Sequence, residues 1–283
     1  MEQMEQSGTV KTLYHYTDFG AMDGILSNAE LRLNNVLNMN DASEMTFFMS
    51  SLCKAVTERF QNDGDLIRAR WTEKLFSAEK DKEFVYSAYA ACFSCYRDDA
   101  AQWERYVNHG RGVCIAFRYD LLKKMAVKPL SLQTVFYQDD VAEHELVEII
   151  YRLIRRHKAP WDTSPAIRAA LNHAWAASAA FKHPSFSSEK EVRLVVSPFE
   201  QRFFNVQPRY HISNERIKKY YPVNLQKLCQ IADTQMEEAV TELIVGPKST
   251  QSIPILQDYL RDMGYGKLAE KITHSACPLR QKL

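Results

Sequence analysis

The segment LYHYTDFGAMDGILSNAELRLNN, residues 13–35, carries signals for a strand, a helix and a second strand in close succession. The β-prone run at 12–16 predicts the first strand, and ELRLNN predicts the second. Between them, Thr17 or Asp18 is expected to cap a short helix that buries Ile25 and Leu26. The start of the chain therefore predicts a mixture of strands and helices.

The same mixture continues through the rest of the chain. Apolar residues at helical spacing predict a long helix in NDASEMTFFMSSLCKAVTERF, with Asp41 and Glu44 spaced as a capping box. Helices are also expected around AAQWERY and QSIPILQDYLRDM, and strands at YSAYAACFS, GRGVCIAF, QTVFYQ, EKEVRLVV and VTELIV. Because strands and helices alternate without regular βαβ spacing, the sequence predicts an α+β fold.

Two further helical patterns, 146–154 and 167–175, flank the proline-containing stretch APWDTSP. They predict a helical hairpin inserted into a sheet protein. The expected organisation is one α+β domain over residues 1–283, with a helical insertion at about 141–182.

Charge and hydropathy exclude several classes of protein. Thirty-six Lys and Arg against 35 Asp and Glu leave a formal net charge of +1, so no global field favours nucleic acid or an anionic membrane. The polar start MEQMEQSGTV lacks an apolar signal core, and no apolar run is long enough to span a bilayer. A soluble, cytoplasmic protein is expected, with six free thiols in a reducing compartment.

Cys92 and Cys95 form a CxxC pair, so a zinc or redox site has to be considered. The pair lies in a β-prone run, where residues three apart point to opposite faces. No second CxxC or HxxxH pair provides the remaining ligands. We therefore expect no metal.

Two segments contain candidate catalytic residues. His15 lies between Tyr14 and Tyr16, where a ligand-binding imidazole and a packed structural histidine look alike. In EKEVRLVV, Glu189, Glu191 and Arg193 are two apart, so a strand would place them on one face while Val192, Leu194 and Val196 enter the core. That row is either a reactive pair of carboxylates with a guanidinium or a surface ladder of paired charges.

The segment QWERYVNHGRG contributes aromatic and basic candidates. Trp103 and Tyr106 are three apart and would share one face of a helix, either to bind a ligand or in ordinary aromatic packing. Arg111 follows between two glycines that leave the approach to the next strand conformationally free.

Several blocks, in order along the chain, resemble the bacterial DUF2971 family of unknown function: LYHYTD, ACFSCYRDDAAQWERYVNHGRGVCIAF, FKHPSFSSEKEVRLVV and ELIVGPKS. The resemblance extends from about Leu13 to Pro247. The family usually has a proline after the Asn-Asp pair and a Phe before the Glu, where this chain has Ala42 and Ser43. A role for the loop around Asn40, Asp41 and Glu44 is therefore less secure.

The order of an early H-Y-T, a middle strand ending in Ser and a late E-x-E also resembles ADP-ribosyltransferases, including the group that modifies DNA. This resemblance implies that His15 holds the ribose of NAD, that Ser94 shapes the nicotinamide pocket and that Glu191 bonds the nicotinamide ribose. Tyr16 and Thr17, beside His15, are also expected to bind the cofactor. Glu189 would face the incoming acceptor. The implied fold has mixed sheets with flanking helices.

Cleavage of the bond between nicotinamide and ribose develops positive charge on the sugar, which a carboxylate such as Glu191 would stabilise. A neutral His15 would bond ribose hydroxyls without adding charge. Tyr16 or Tyr106 would stack on nicotinamide, and Arg111 or Arg193 would meet the pyrophosphate.

The expected function is therefore NAD-dependent transfer of ADP-ribose to a protein or nucleic acid, in a toxin or phage-defence effector with a possible antitoxin or immunity partner. Two alternatives remain open. A metal-independent nuclease would use His15, Glu191 and Arg193 as base and phosphate clamp. A non-catalytic regulatory protein would bind a nucleotide in the same cleft.

Overall fold

The fold is given by a computed structural model that describes residues 11–39, 44–79, 87–107, 109–138, 141–157, 164–197, 205–212 and 217–279. The Asp41–Glu44 capping box predicted from the sequence involves side chains outside these described parts. The helix it was expected to cap is present from Glu44 to Asn62.

Strands and helices alternate along the whole described chain. The strands are β1 Thr12–Thr17, β2 Glu30–Asn35, β3 Tyr89–Ser94, β4 Val113–Arg118, β5 Leu130–Thr134, β6 Glu191–Val196, β7 Arg209–Ile212, β8 Ile217–Asn224, β9 Val240–Val245 and β10 Ile272–His274. The helices are α1 Phe19–Ser27, α2 Glu44–Asn62, α3 Leu66–Ser77, α4 Ala100–Tyr106, α5 Tyr119–Met125, α6 Glu145–Arg156, α7 Pro165–Ser178, α8 Leu225–Ile231, α9 Met236–Ala239, α10 Ile253–Asp262 and α11 Gly266–Ala269. The α+β class predicted from the sequence is confirmed.

One open, mixed sheet organises these elements. Its order is β10-β9-β4-β1-β3-β2-β8-β7, with β6 and then β5 added on β3. β9 and β10 are parallel, and the other pairs are antiparallel.

The sheet divides at β3. Along its full length β3 pairs with β6. On its other edge β3 pairs with β2 only at Tyr89 and Ala90, and with β1 only at Ser94. Between those contacts β1 and β2 diverge, and a cleft opens beside the middle of β3. Aromatic, acidic and basic side chains line this cleft.

Two large apolar clusters lie on the two faces of this sheet. The first packs α1, α5, α8, α10 and α11 against β-strand residues such as Phe93, Val192 and Leu194. The second packs α2, α3, α6 and α7 against Ala90 and Val195. The predicted inward orientation of Val192, Leu194 and Val196 is confirmed, since all three belong to the first cluster.

Several elements differ from the sequence prediction. QTVFYQ, residues 133–138, was predicted as a strand. The strand in this region is β5, Leu130–Thr134, whose position is set by its pairing with β6, from Leu130 opposite Val196 to Thr134 opposite Val192. The polar stretch 61–82 was assigned no structure and contains α3, whose buried face is Ala69, Thr72, Leu75 and Phe76. β7 and β8 were not predicted, since their residues do not alternate cleanly in hydropathy.

Candidate functional site

The cleft at the division of the sheet has a volume of about 370 Å³. Seven of the ten residues proposed from the sequence line it, namely His15, Tyr16, Thr17, Ser94, Tyr106, Glu189 and Glu191. Trp103, Arg111 and Arg193 do not.

His15 reaches into the gap between β1 and β2. Its Nδ1 lies 2.8 Å from the carbonyl oxygen of Cys92, in the part of β3 that pairs with neither β1 nor β2. Its ring packs against Phe93, with ring centres 5.6 Å apart. Burial lowers the pKa of His15, although the hydrogen bond to Cys92 opposes this effect. The imidazole is therefore neutral at pH 7, with one nitrogen fixed by the protein.

The two tyrosines beside His15 also line the cleft, and both contact a separate apolar cluster. Neighbouring residues of a strand point to opposite faces. Tyr16 belongs to a third apolar cluster with Trp103 and Cys114, and Tyr14 packs against that cluster. The Tyr16 hydroxyl donates to the carbonyl of Tyr96 at 2.8 Å, so this side chain fastens the loop after β3.

The E-x-E segment is buried, which makes the surface-ladder interpretation wrong. Glu189 is 1% exposed and Glu191 6%, while Arg193 is fully buried. The reason is that β6 has helices over both faces, so the face shared by Glu191, Arg193 and Val195 lies under the second apolar cluster.

Glu189 also departs from the strand prediction. It ends a 3₁₀ turn, Pro184–Glu189, and Lys190 takes a left-handed conformation with φ 43° before β6 begins. A non-glycine residue in this region costs about 1 kcal/mol. The turn is held by Ser94, whose hydroxyl donates to the carbonyl of Glu189 at 2.9 Å. Ser94 is thus a support for the carboxylate segment and lines the cleft as well.

Arg193 holds Glu191 by a two-point contact. Its Nε and Nη2 donate to Oε1 and Oε2 of Glu191, each at 2.9 Å, and its Nη1 donates to the carbonyl of Ala179 at 2.8 Å. Burial by itself raises the pKa of Glu191, but the charges of Arg193 and Lys182 outweigh it and bring that pKa to about 2. Glu191 is therefore ionised and fixed in orientation.

Glu189 has three donors of its own. Tyr106 donates its hydroxyl to Oε1 at 2.7 Å, and Arg105 donates to the same oxygen at 3.0 Å. Lys182 donates to Oε2 at 2.7 Å. Burial and the nearby Glu189 carboxylate raise the pKa of Tyr106, so its hydroxyl stays protonated and remains a donor.

Lys182 connects the two carboxylates, and sequence reasoning gave it no role. Its Nζ lies 2.7 Å from Glu189 and 3.4 Å from Glu191, and the residue is only 2% exposed. One signal in the sequence could have pointed to it: Lys182 is a charged residue that directly follows the apolar residues Ala179, Ala180 and Phe181. Buried lysines are rare unless they are paired.

The remaining predicted residues have other surroundings. Trp103 is fully buried and donates its indole N–H to Asp98 at 2.6 Å, which supports the ordinary packing interpretation. Arg111 is exposed, away from the cleft. Arg193 can influence a ligand only through Glu191, since the cleft does not reach it.

The thiols of the CxxC pair have different neighbours. Cys92 lies 3.7 Å from the sulfur of Met39, whereas Cys95 is beyond the end of β3 and packs against the first apolar cluster. All six cysteines are free thiols. Within the described parts of the chain, no group of three His, Cys, Asp or Glu side chains has a metal-holding arrangement.

The glutamates, Lys182 and Arg193 just described come from one continuous region of the sequence. Residues 102–194 match the family model of DUF2971, a protein of unknown function. The match covers about a third of the chain, and it confirms the family resemblance over that range. His15 and Ser94 lie outside it, so the wider resemblance from Leu13 to Pro247 stays a prediction.

The other two comparisons add no relative. Neither the curated proteins nor the solved structures contain a match to this chain. As for membranes, none of the helices in the described ranges has the length and apolar character needed to cross a bilayer.

Proposed function

We propose that the protein cleaves NAD between nicotinamide and ribose and transfers ADP-ribose to a macromolecular acceptor, either protein or nucleic acid. The observation that carries this proposal is an ionised carboxylate, Glu191, held by Arg193 at the wall of a cleft that His15 also lines. A division of the sheet places these residues around one cavity, as an ADP-ribosyltransferase-like fold would require.

The carboxylate has the properties that glycosyl transfer needs. The departing nicotinamide leaves oxocarbenium character on the ribose, which a fixed negative charge stabilises without reorganising. A carboxylate offers about four acceptor positions. Arg193 occupies two of them on Glu191, Lys182 approaches a third, and the Cys92 side chain is a further hydrogen-bond partner, so a ribose hydroxyl would share or displace one of these contacts.

His15 complements this carboxylate. Because burial keeps its imidazole neutral, it adds no positive charge beside the forming cation. Nδ1 is fixed on the Cys92 carbonyl, so Nε2 is the nitrogen that would bond the ligand. Tyr106 lines the same cleft, and its aromatic face would contact the nicotinamide ring.

Glu189 would act on the acceptor side of the reaction. Its three donors leave about one acceptor position free, which would orient an incoming hydroxyl or amide. Lys182, shared with Glu191, would keep the spacing of the two carboxylates constant during the reaction.

The test is incubation of the protein with labelled NAD and cell extract, followed by separate digestion of the labelled product with nuclease and protease. Glu191→Gln should lower labelling by about two to three orders of magnitude, the typical loss for one well-placed electrostatic contact. Glu79→Gln is the matched control, since Glu79 is a buried carboxylate in the helical layer that bonds Trp175 and does not line the cleft.

A second candidate function is nucleotide binding without turnover, because both carboxylates are held in ion pairs with buried cations, an arrangement that can serve to fix the wall of a binding cleft. NAD binding without nicotinamide release by the wild type would establish that case. The nuclease alternative loses its proposed phosphate clamp, because Arg193 does not line the cleft.

A further inference from the structure

A group of basic residues lies at the opposite end of the cleft from Glu191. Arg32 on β2, Lys218 on β8 and His211 on β7 all line the cavity. Lys218 pairs directly with His211 in the β7–β8 register, and directly opposed residues point to the same face. By strand alternation Tyr220 shares that face with Lys218, and the guanidinium of Arg32 lies 4.9 Å from the centre of the Tyr220 ring.

This end of the cleft has an excess of positive charge. Arg32 approaches Glu30 at 3.7 Å, and Arg209 contacts the same carboxylate at 2.7 Å. Lys218 makes no ion pair or hydrogen bond with the described residues. Among the described residues at this end, one carboxylate, Glu30, therefore stands against three cations, Arg32, Arg209 and Lys218.

The reactive end and this basic end are separated by part of the width of the sheet. From β6 the order runs through β3 and β2 to β8, which is three strand spacings, on the order of 15 Å. An extended dinucleotide is long enough to occupy both ends. A single sugar ring is not.

We propose that Arg32, Lys218 and His211 form a phosphate-binding arm of the cleft, which holds the phosphate groups of a nucleotide whose sugar lies at Glu191. The inference rests on the proposed function for the identity of the nucleotide. Arginine and lysine are the side chains that bind phosphate oxygens through charge-assisted hydrogen bonds, and an imidazole N–H adds a third donor. The arm would thereby fix which end of the ligand enters first.

The test compares ADP with adenosine as probes, by calorimetric titration of the full-length protein. Lys218→Met should weaken ADP binding about tenfold, the loss expected for one charge-assisted contact, and should leave adenosine binding unchanged. Inorganic pyrophosphate should compete with ADP in the wild type and compete less well in the variant.

Lys219→Met is the matched control. Lys219 is the next residue of β8, so it lies on the other face of the strand, where its amino group is 5.9 Å from the centre of the Tyr89 ring. This variant loses the same charge from the same strand and should bind ADP as the wild type does. A uniform loss of affinity in both variants would indicate a long-range charge effect and overturn the proposal.

Two further outcomes separate this inference from the proposed function. Absence of ADP binding by the wild type, or equal ADP affinity in Lys218→Met and wild type, would overturn the phosphate-binding arm even if NAD is consumed. Lys218-dependent ADP binding in a protein that releases no nicotinamide would support the arm and contradict the transferase.

Discussion

Replacement of Glu191 by glutamine should remove a pH-dependent part of the free energy of unfolding. The pKa of this carboxyl falls from its usual 4.5 to about 2 in the folded protein, which corresponds to about 3 kcal/mol of stability at neutral pH. Because the folded pKa is depressed, the contribution is complete above about pH 5 and is lost as the pH falls toward 2. Roughly 1 kcal/mol of it should be gone at pH 4.

Urea unfolding followed by far-ultraviolet circular dichroism at pH 7 and pH 4 measures this effect. Glu191→Gln should be less stable than the wild type by about 3 kcal/mol at pH 7 and by about 2 kcal/mol at pH 4. Val195→Ala is the control on the same strand: it removes buried apolar volume but no titratable group, so its cost should be equal at both pH values. A pH-independent difference for Glu191→Gln would refute the assignment of an ionised, paired carboxylate.

Further variants test the cleft and its surroundings. His15→Ala should raise the dissociation constant for NAD about tenfold in calorimetry, through the loss of one hydrogen bond, with little change in thermal midpoint; a large fall in that midpoint at unchanged affinity would instead support the packed histidine. Because burial lowers the pKa of His15, the wild-type affinity for NAD should be constant from pH 6.5 to 8 and should fall in more acid solution. An affinity that stays constant in acid as well would contradict a role for protonation of this ring. Cys92→Ser should keep its nicotinamide release, and stoichiometric zinc in the purified wild type would contradict our interpretation of the CxxC pair. Trp103→Ala should cost about 3–5 kcal/mol in urea unfolding, since its indole is fully buried, and an unchanged stability would place this residue outside the core.

Local patterns predicted much of the fold. The amphipathic helix Glu44–Asn62 and the strand Glu191–Val196 have hydropathy that follows helical or alternating spacing, because each buries a regular face. The edge strand β7 and its neighbour β8 escaped prediction. All four residues of β7 are exposed, so no buried face imposes a pattern on them.

The candidate site was predictable only in part, for a physical reason. Strand alternation correctly grouped Glu191 with Arg193, but it could not say that helices cover that face as well as the opposite one. The distinction between a surface ladder and a buried ion pair depends on those long-range contacts. Lys182 was missed for the same reason, since its partner Glu189 ends a 3₁₀ turn and its partner Glu191 follows the left-handed Lys190, a geometry that the sequence pattern does not show.

Tyr16 was proposed to stack on a ligand. It lines the cleft, as His15 does, and it also packs with Trp103 in the third apolar cluster, because adjacent strand residues face opposite sides of a sheet. The structure places Phe93, from the neighbouring strand, against the imidazole.

The rate of nicotinamide release from NAD by the purified wild type and by Glu191→Gln, measured at pH 7 on protein shown to be folded, is the most direct test of the proposed transferase. The account predicts measurable release by the wild type and a rate lower by about two to three orders of magnitude in the variant, with NAD affinity largely retained. Equal rates in the two proteins, or no release by the wild type in the presence of cell extract, would contradict it.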